Sequence, residues 1–154
     1  MLFALTFPNT SAHLKVKISN RVLAKVIDIF ITILVAGTLF YPFGPLIAFF
    51  YSIFGDGMNF GPFRGQSVGK RILHLQVINQ ETKKPASLKE SALRNAPVGV
   101  ATFFAIIPIW GWIILAIIGV PLMAMEIYLM ATVETGHRLG DVMGDTEVVE
   151  YTGI

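Results

Sequence analysis

The chain of 154 residues contains no cysteine, which excludes a disulfide framework, thiolate chemistry and any cysteine-ligated zinc site. Charge is also scarce. Only 14% of the residues are Asp, Glu, Lys or Arg, against roughly a quarter in soluble domains. Neither sign dominates, since 12 basic residues stand against 10 acidic ones. The net +2 is too small for the dense basic face of a nucleic-acid binder. A disordered chain is excluded as well, because 54% of the residues are hydrophobic and such chains are apolar-poor. There is room for one domain, residues 1–154. With a mean hydropathy of +0.66, the composition points to a membrane protein.

A bilayer core needs about 20 mostly apolar helical residues, with ~17–25 the usual range. Four stretches meet or approach that length: residues 21–40, 42–58, 93–108 and 111–133. The last two come from a run of 37 residues, Pro97 to Val133, with one charge, Glu126. That run is too long for one span, and Pro108 and Gly111 punctuate it. Gly119 and Pro121 predict a kink within the fourth span. The expected fold is therefore an all-α four-helix transmembrane bundle with a small cytoplasmic strand and amphipathic-helix segment. The connections around Tyr41–Gly44 and Pro108–Gly111 carry no charge, whereas all twelve basic residues fall on the other side. The positive-inside rule then places both termini in the cytoplasm. The opening MLFALTFPNTSA lacks the basic stretch of a cleavable signal peptide, so the first span is expected to act as the insertion signal.

The cytoplasmic segment, Asp56 to Asn95, begins with a loop rich in glycine, at 55, 57, 61, 65 and 69. KRILHLQVIN then alternates apolar and polar residues and reads as a strand. Ser87-Leu-Lys-Glu90 fits a capping box that opens a short amphipathic helix lying along the interface before the third span. The tail TEVVEY is a second strand able to pair with the first.

Several motifs have bland explanations. GQSVG, Gly65 to Gly69, satisfies the nucleophile-elbow pattern, but that chemistry needs a strand before the serine and a helix after it. Here a glycine loop precedes Ser67 and a strand is expected to follow. GQSVGK is one residue short of a phosphate loop, and Arg71 stands where Ser or Thr must bind magnesium. A tight turn presenting Lys70 and Arg71 to lipid phosphates is the expected role. His13, His74 and His137 show no metal-ligand spacing, and no cofactor or enzyme activity is indicated.

Span one is different. Arg21, Lys25, Asp28 and Thr32 lie at i, i+4, i+7 and i+11 and share one helical face. A central aspartate costs roughly 2.5–3.5 kcal/mol in a bilayer, so Asp28 must face the bundle. Glu126 meets the same constraint in the fourth span. Each is either a permanently paired ion, with Lys25 or Arg21 serving Asp28, or a carboxylate that binds a cation or proton. In HRLGDVMGDT, Arg138, Asp141 and Asp145 would line up on a short helix just inside the membrane.

Together these pieces resemble the RDD family of small bacterial membrane proteins, over roughly residues 15 to 150. The family's arginine and first aspartate match Arg21 and Asp28 in NRVLAKVIDIF. Its second aspartate matches Asp141 in HRLGDVMGDTEVV, and Asp56 is a further candidate. GQSVGKRILHLQVI matches the family's glycine–serine–lysine block, and Arg94 in SLKESALRN its later arginine. The resemblance implies a bacterial inner-membrane protein that transports a small ligand or cation, with sodium–proton antiport linked to some members. It would make Asp28 the cation or proton site, Arg21 its charge-tuning partner and Asp141 an acid at the cytoplasmic end. Four spans are few for alternating access, so transport would imply a homo-oligomer, with monovalent cation, proton and membrane lipid as partners. The rival reading is a non-transporting scaffold or accessory subunit, its basic face binding anionic lipid or a partner protein.

Overall fold

The computed structural model describes residues 16–132 and 137–151; His13 and Lys15, at the expected cytoplasmic N-terminus, lie outside them. The protein is mostly helical. Helix α1 (Ile18–Thr38) leads through the Tyr41 turn to α2 (Phe43–Phe54) and a 3-10 turn, Gly55–Gly57. After the glycine loop come the short α3 (Val68–Ile72) and β1 (Leu75–Asn79). Helix α4 (Leu88–Phe103) follows, and α5 (Trp110–Ile114) joins α6 (Val120–Thr132) through a π-helical turn, Leu115–Gly119. The chain closes with α7 (Leu139–Met143) and β2 (Thr146–Glu150).

Most of these elements follow the local signals. Ser87 and Glu90 form the expected capping box: the Glu90 N–H donates to Ser87 Oγ at 3.3 Å, and the Ser87 N–H donates to Glu90 Oε2 at 2.6 Å. The strands pair antiparallel with Val77 opposite Val148. The chain breaks between α4 and α5 at Pro108, and the π turn stands just before Pro121, whose missing N–H interrupts the regular ladder.

Two expectations need correction. The residues directly after Ser67 form α3 rather than a strand, and the strand is confined to Leu75–Asn79. The expected interfacial helix and third apolar stretch are one continuous helix, α4, which tolerates Pro97 in its interior.

Burial runs opposite to that of a soluble domain. Asp28, Asp56, Gln66, Lys70, Arg94, Asn95, Glu126, Arg138 and Asp141 are buried. Phe30, Ile33, Phe43, Phe50, Val100, Phe103, Ile117 and Val120 are exposed. A surface this apolar around a polar interior marks a face made for lipid or protein rather than water. One helix among the described residues, Trp110–Thr132, is long and apolar enough by itself to cross a membrane. Helix α1 is 21 residues long but carries Arg21, Lys25 and Asp28.

The helices alternate in direction. The start of α1, the end of α2, the start of α4 and the segment after α6 therefore meet at one end, where α3, α7 and the β1–β2 pair also sit. At the other end the two short connections touch, with Tyr41 OH donating to the Ile106 carbonyl at 2.7 Å.

Candidate functional site

Four carboxylates and four of their cationic neighbours are gathered where the helix ends converge. Asp28 is held by uncharged donors. Its Oδ1 accepts from Tyr51 OH at 2.6 Å and from the Gly69 N–H at 2.8 Å, and its Oδ2 accepts from Ser67 Oγ at 2.6 Å. The glycine block now has a physical explanation. A Cβ on Gly69 would collide with the Ala24 carbonyl oxygen and lie 3.0 Å from the Asp28 carboxylate, so only glycine lets α3 lie this close to α1. Ser67 precedes α3 without capping it, because its hydroxyl serves Asp28 instead. Among the described residues the contacts of this hydroxyl are Asp28 Oδ2 and the Lys70 ammonium, with no histidine among them.

Lys70 links this group to the next. Its Nζ donates to Asp56 Oδ1 at 2.6 Å and reaches Ser67 Oγ at 3.4 Å. Lys70 was expected to face lipid phosphates, but it is buried, because the α3 turn points it inward at Asp56. Arg71 points the other way. It donates to the Pro62 carbonyl and lies 5.4 Å from the Phe63 ring centroid.

Asp56 also meets Arg94 and Asn95. Arg94 Nε lies 3.1 Å from Asp56 Oδ2, off the hydrogen-bond axis and so an ion-pair contact, while Asn95 Nδ2 donates to the same oxygen at 3.3 Å. Arg94 then bridges to Asp141 Oδ1 at 2.8 Å and to Thr146 Oγ1 at 3.1 Å. Arg138 reaches Glu126 Oε2 at 3.0 Å, Asp141 Oδ1 at 3.2 Å and Asn95 Oδ1 at 3.2 Å. Arg21 completes the set by pairing with Asp141. Burial alone would raise the Asp141 carboxyl, but Arg94, Arg138 and Arg21 outweigh it and hold the group well below the usual carboxylate range.

Gly140 allows this convergence. A side chain there would overlap the Arg94 carbonyl, so glycine lets α7 pack against the start of α4. Asp145, expected to line up with Arg138 and Asp141, lies past the end of α7 at φ 49°.

The sequence residues are thus brought together, though not in the expected pairs. Arg21 serves Asp141 rather than Asp28. Lys25 makes no ion pair with any carboxylate among the described residues. Tyr51, Ser67 and Gly69 were not expected as partners of Asp28, since charge pairing does not reveal hydroxyl and backbone donors.

Beside the network, between α1, α2, α4 and the α5–α6 helix, lies a cavity of about 340 Å³. Lys25, Asp28, Tyr51, Asp56 and Asn95 line its end near the network. Ile33, Ala101, Thr102, Trp112 and Leu115 line the end towards the Tyr41 and Pro108 connections.

The sequence pattern of the RDD family matches residues 15–145, a stretch that holds every charged residue of this network. The chain belongs to the RDD family. This is a membrane-associated family, in keeping with the apolar exterior of the structure. No curated protein and no solved structure matches the chain. In this RDD protein Arg21 and Asp141 form an ion pair, and Asp28 anchors the glycine block.

Proposed function

We propose that this RDD protein is a four-span inner-membrane transporter of a small ligand, with both termini cytoplasmic. The spans would be α1, α2, α4 with the 3-10 turn that follows it, and the Trp110–Thr132 helix. The charged network would lie at the cytoplasmic ends. The observation that carries this reading is the cavity of about 340 Å³ among those helices, which is within the ~300–1,000 Å³ of small-molecule sites. Among the described residues, the placement of the basic side chains on the network side supports the orientation.

The same geometry favours a ligand other than a bare cation. Asp28 accepts three hydrogen bonds, and Asp56 is surrounded by Lys70, Arg94 and Asn95. A bare cation at either carboxylate would compete with these donors for the roughly four acceptor sites each carboxylate has. One observation favours the scaffold reading: the network ties α1, α3, α4 and α7 into a closed clamp. The two readings part in proteoliposomes holding a pH dye, under imposed gradients of sodium, potassium or a small organic anion. Transport predicts that at least one gradient dissipates faster than in protein-free vesicles. If none does, the transport reading fails and the scaffold remains. A homo-oligomer belongs to the same proposal, because one four-span chain is small for alternating access.

A further inference from the structure

Five cations and four carboxylates converge beside the cavity: Arg21, Lys25, Lys70, Arg94 and Arg138 against Asp28, Asp56, Glu126 and Asp141. The carboxylates are taken up by the other four cations and by the hydroxyl and amide donors. Lys25 is the cation left over. Among the described residues its ammonium makes no hydrogen bond or ion pair; its charged neighbours are the cations Arg138 and Lys70 and, more weakly, the carboxylates Asp56 and Glu126. It lines the cavity. A cation withdrawn from water with no ion-pair partner of its own calls for an anion.

The cavity wall completes the description. Along α1 the lining runs from Lys25 to Ile33, along α4 from Asn95 to Thr102, and along the fourth span from Met123 back to Trp112. The charged residues Lys25, Asp28 and Asp56 collect at one end with Tyr51, Ser67 and Asn95, and the rest of the wall is apolar apart from the hydroxyls of Thr32, Ser52 and Thr102, the last two 2.9 Å from each other. From this gradient we propose that the cavity binds an anionic amphiphile: a single apolar chain with a carboxylate or phosphate head seated on Lys25. The volume suits one chain rather than a two-chain phospholipid. This names the ligand class of the site under Proposed function and rests on that reading for its transport role. Glu126 competes for Lys25 across a smaller void of about 40 Å³, and its Oε1 has no hydrogen-bond partner.

The test uses the full chain in phosphatidylcholine nanodiscs, with Trp110→Phe leaving Trp112 as the one tryptophan, since the chain has two. Brominated decanoate is titrated as a quencher, with decanoate, decyl phosphate, decanol and decylamine as competitors. Quenching of Trp112 is expected to saturate and to be reversed by decanoate and decyl phosphate, but not by decanol or decylamine. Lys25→Gln weakens binding about tenfold or more, and Lys25→Arg retains it. Glu126→Gln tightens it. With Trp112→Phe, the remaining Trp110 reports only the linear quenching of probe dissolved in the bilayer. Non-saturating quenching, equal displacement by decylamine, or unchanged affinity in Lys25→Gln overturns the proposal. Should Lys25→Gln fail to fold, the competitor series on the Lys25 protein decides it. Repeating the titration with phosphatidylglycerol shows whether the bound chain is a free acid or part of a lipid. Saturable binding without decanoate flux keeps the ligand class and removes the transport role. Flux of another solute without decanoate binding does the reverse.

Discussion

Arg21, in the first turn of α1, forms an ion pair with Asp141 of α7, although the two residues are 120 positions apart in the chain. Asp141 simultaneously meets Arg94 and Arg138, so this one carboxylate joins the start of α1, the start of α4 and the segment after α6. Removing one partner of a buried ion pair costs about 3–5 kcal/mol, because the remaining charges stay buried without compensation. Asp141→Asn should therefore lower the thermal unfolding temperature in detergent strongly. Arg21→Gln should lower it less, as the Arg21 side chain is 10% exposed and that of Asp141 fully buried.

The same carboxylate predicts a direction for pH dependence. Its folded value is depressed, with its three arginines outweighing burial. It therefore contributes stability that is fully present above the unfolded carboxylate value of ~3.9 and is lost as pH falls towards the folded value. Unfolding temperatures should be level near neutrality and decline below about pH 4, and Asp141→Asn should flatten that acid limb. A decline equally steep in the variant would mean that another group carries it.

Two glycine-to-alanine changes should have opposite signs. At Gly69 the new methyl meets the Ala24 carbonyl and the Asp28 carboxylate, so α3 must move off α1 at a cost of about 1–3 kcal/mol. At Gly37, inside α1, nothing lies within 4 Å, so alanine should stabilise by roughly 0.5–1 kcal/mol. Parallel thermal melts check both, and equal effects would contradict the close packing of α3 on α1.

Adjacent basic residues of α3 should behave differently. Lys70→Met removes the 2.6 Å bond to Asp56 and should cost about 1.5–3 kcal/mol. Arg71→Met, at a half-buried side chain with a single short backbone contact, should cost under about 1 kcal/mol. Melting curves of the two variants decide this, and a reversed order would mean that Lys70 is the exposed member.

What could be read from sequence was local or directional. The Ser87–Glu90 box, the β1–β2 pairing, the break at Pro108 and the disturbance ahead of Pro121 depend on neighbours within a few residues, and each is present. Arg21, Asp28, Asp56, Arg94, Glu126, Arg138 and Asp141 stood out because charge is costly in an apolar chain. Their pairing did not, since spacing says nothing about partners 120 residues apart. Asp28 was matched to the cations on its own helical face, yet its donors are a phenol, a hydroxyl and a backbone amide, none of which carries charge. Lys70 looked like a surface residue after a glycine turn. Its burial follows from the position of Asp56 in the 3-10 turn after α2, which only the fold reveals.

The central claim is that the cavity serves as a path across the membrane. The chain has no cysteine, so Val98→Cys or Ala116→Cys, both in the cavity wall, supplies a unique thiol. A membrane-impermeant maleimide is added to oriented vesicles first from the cytoplasmic side and, in a separate sample, from the opposite side, with exposed Phe30→Cys as the lipid-facing control. The account predicts that each cavity thiol is labelled from both sides and the control from neither. Labelling of the cavity thiols from one side only, or from neither, would contradict it.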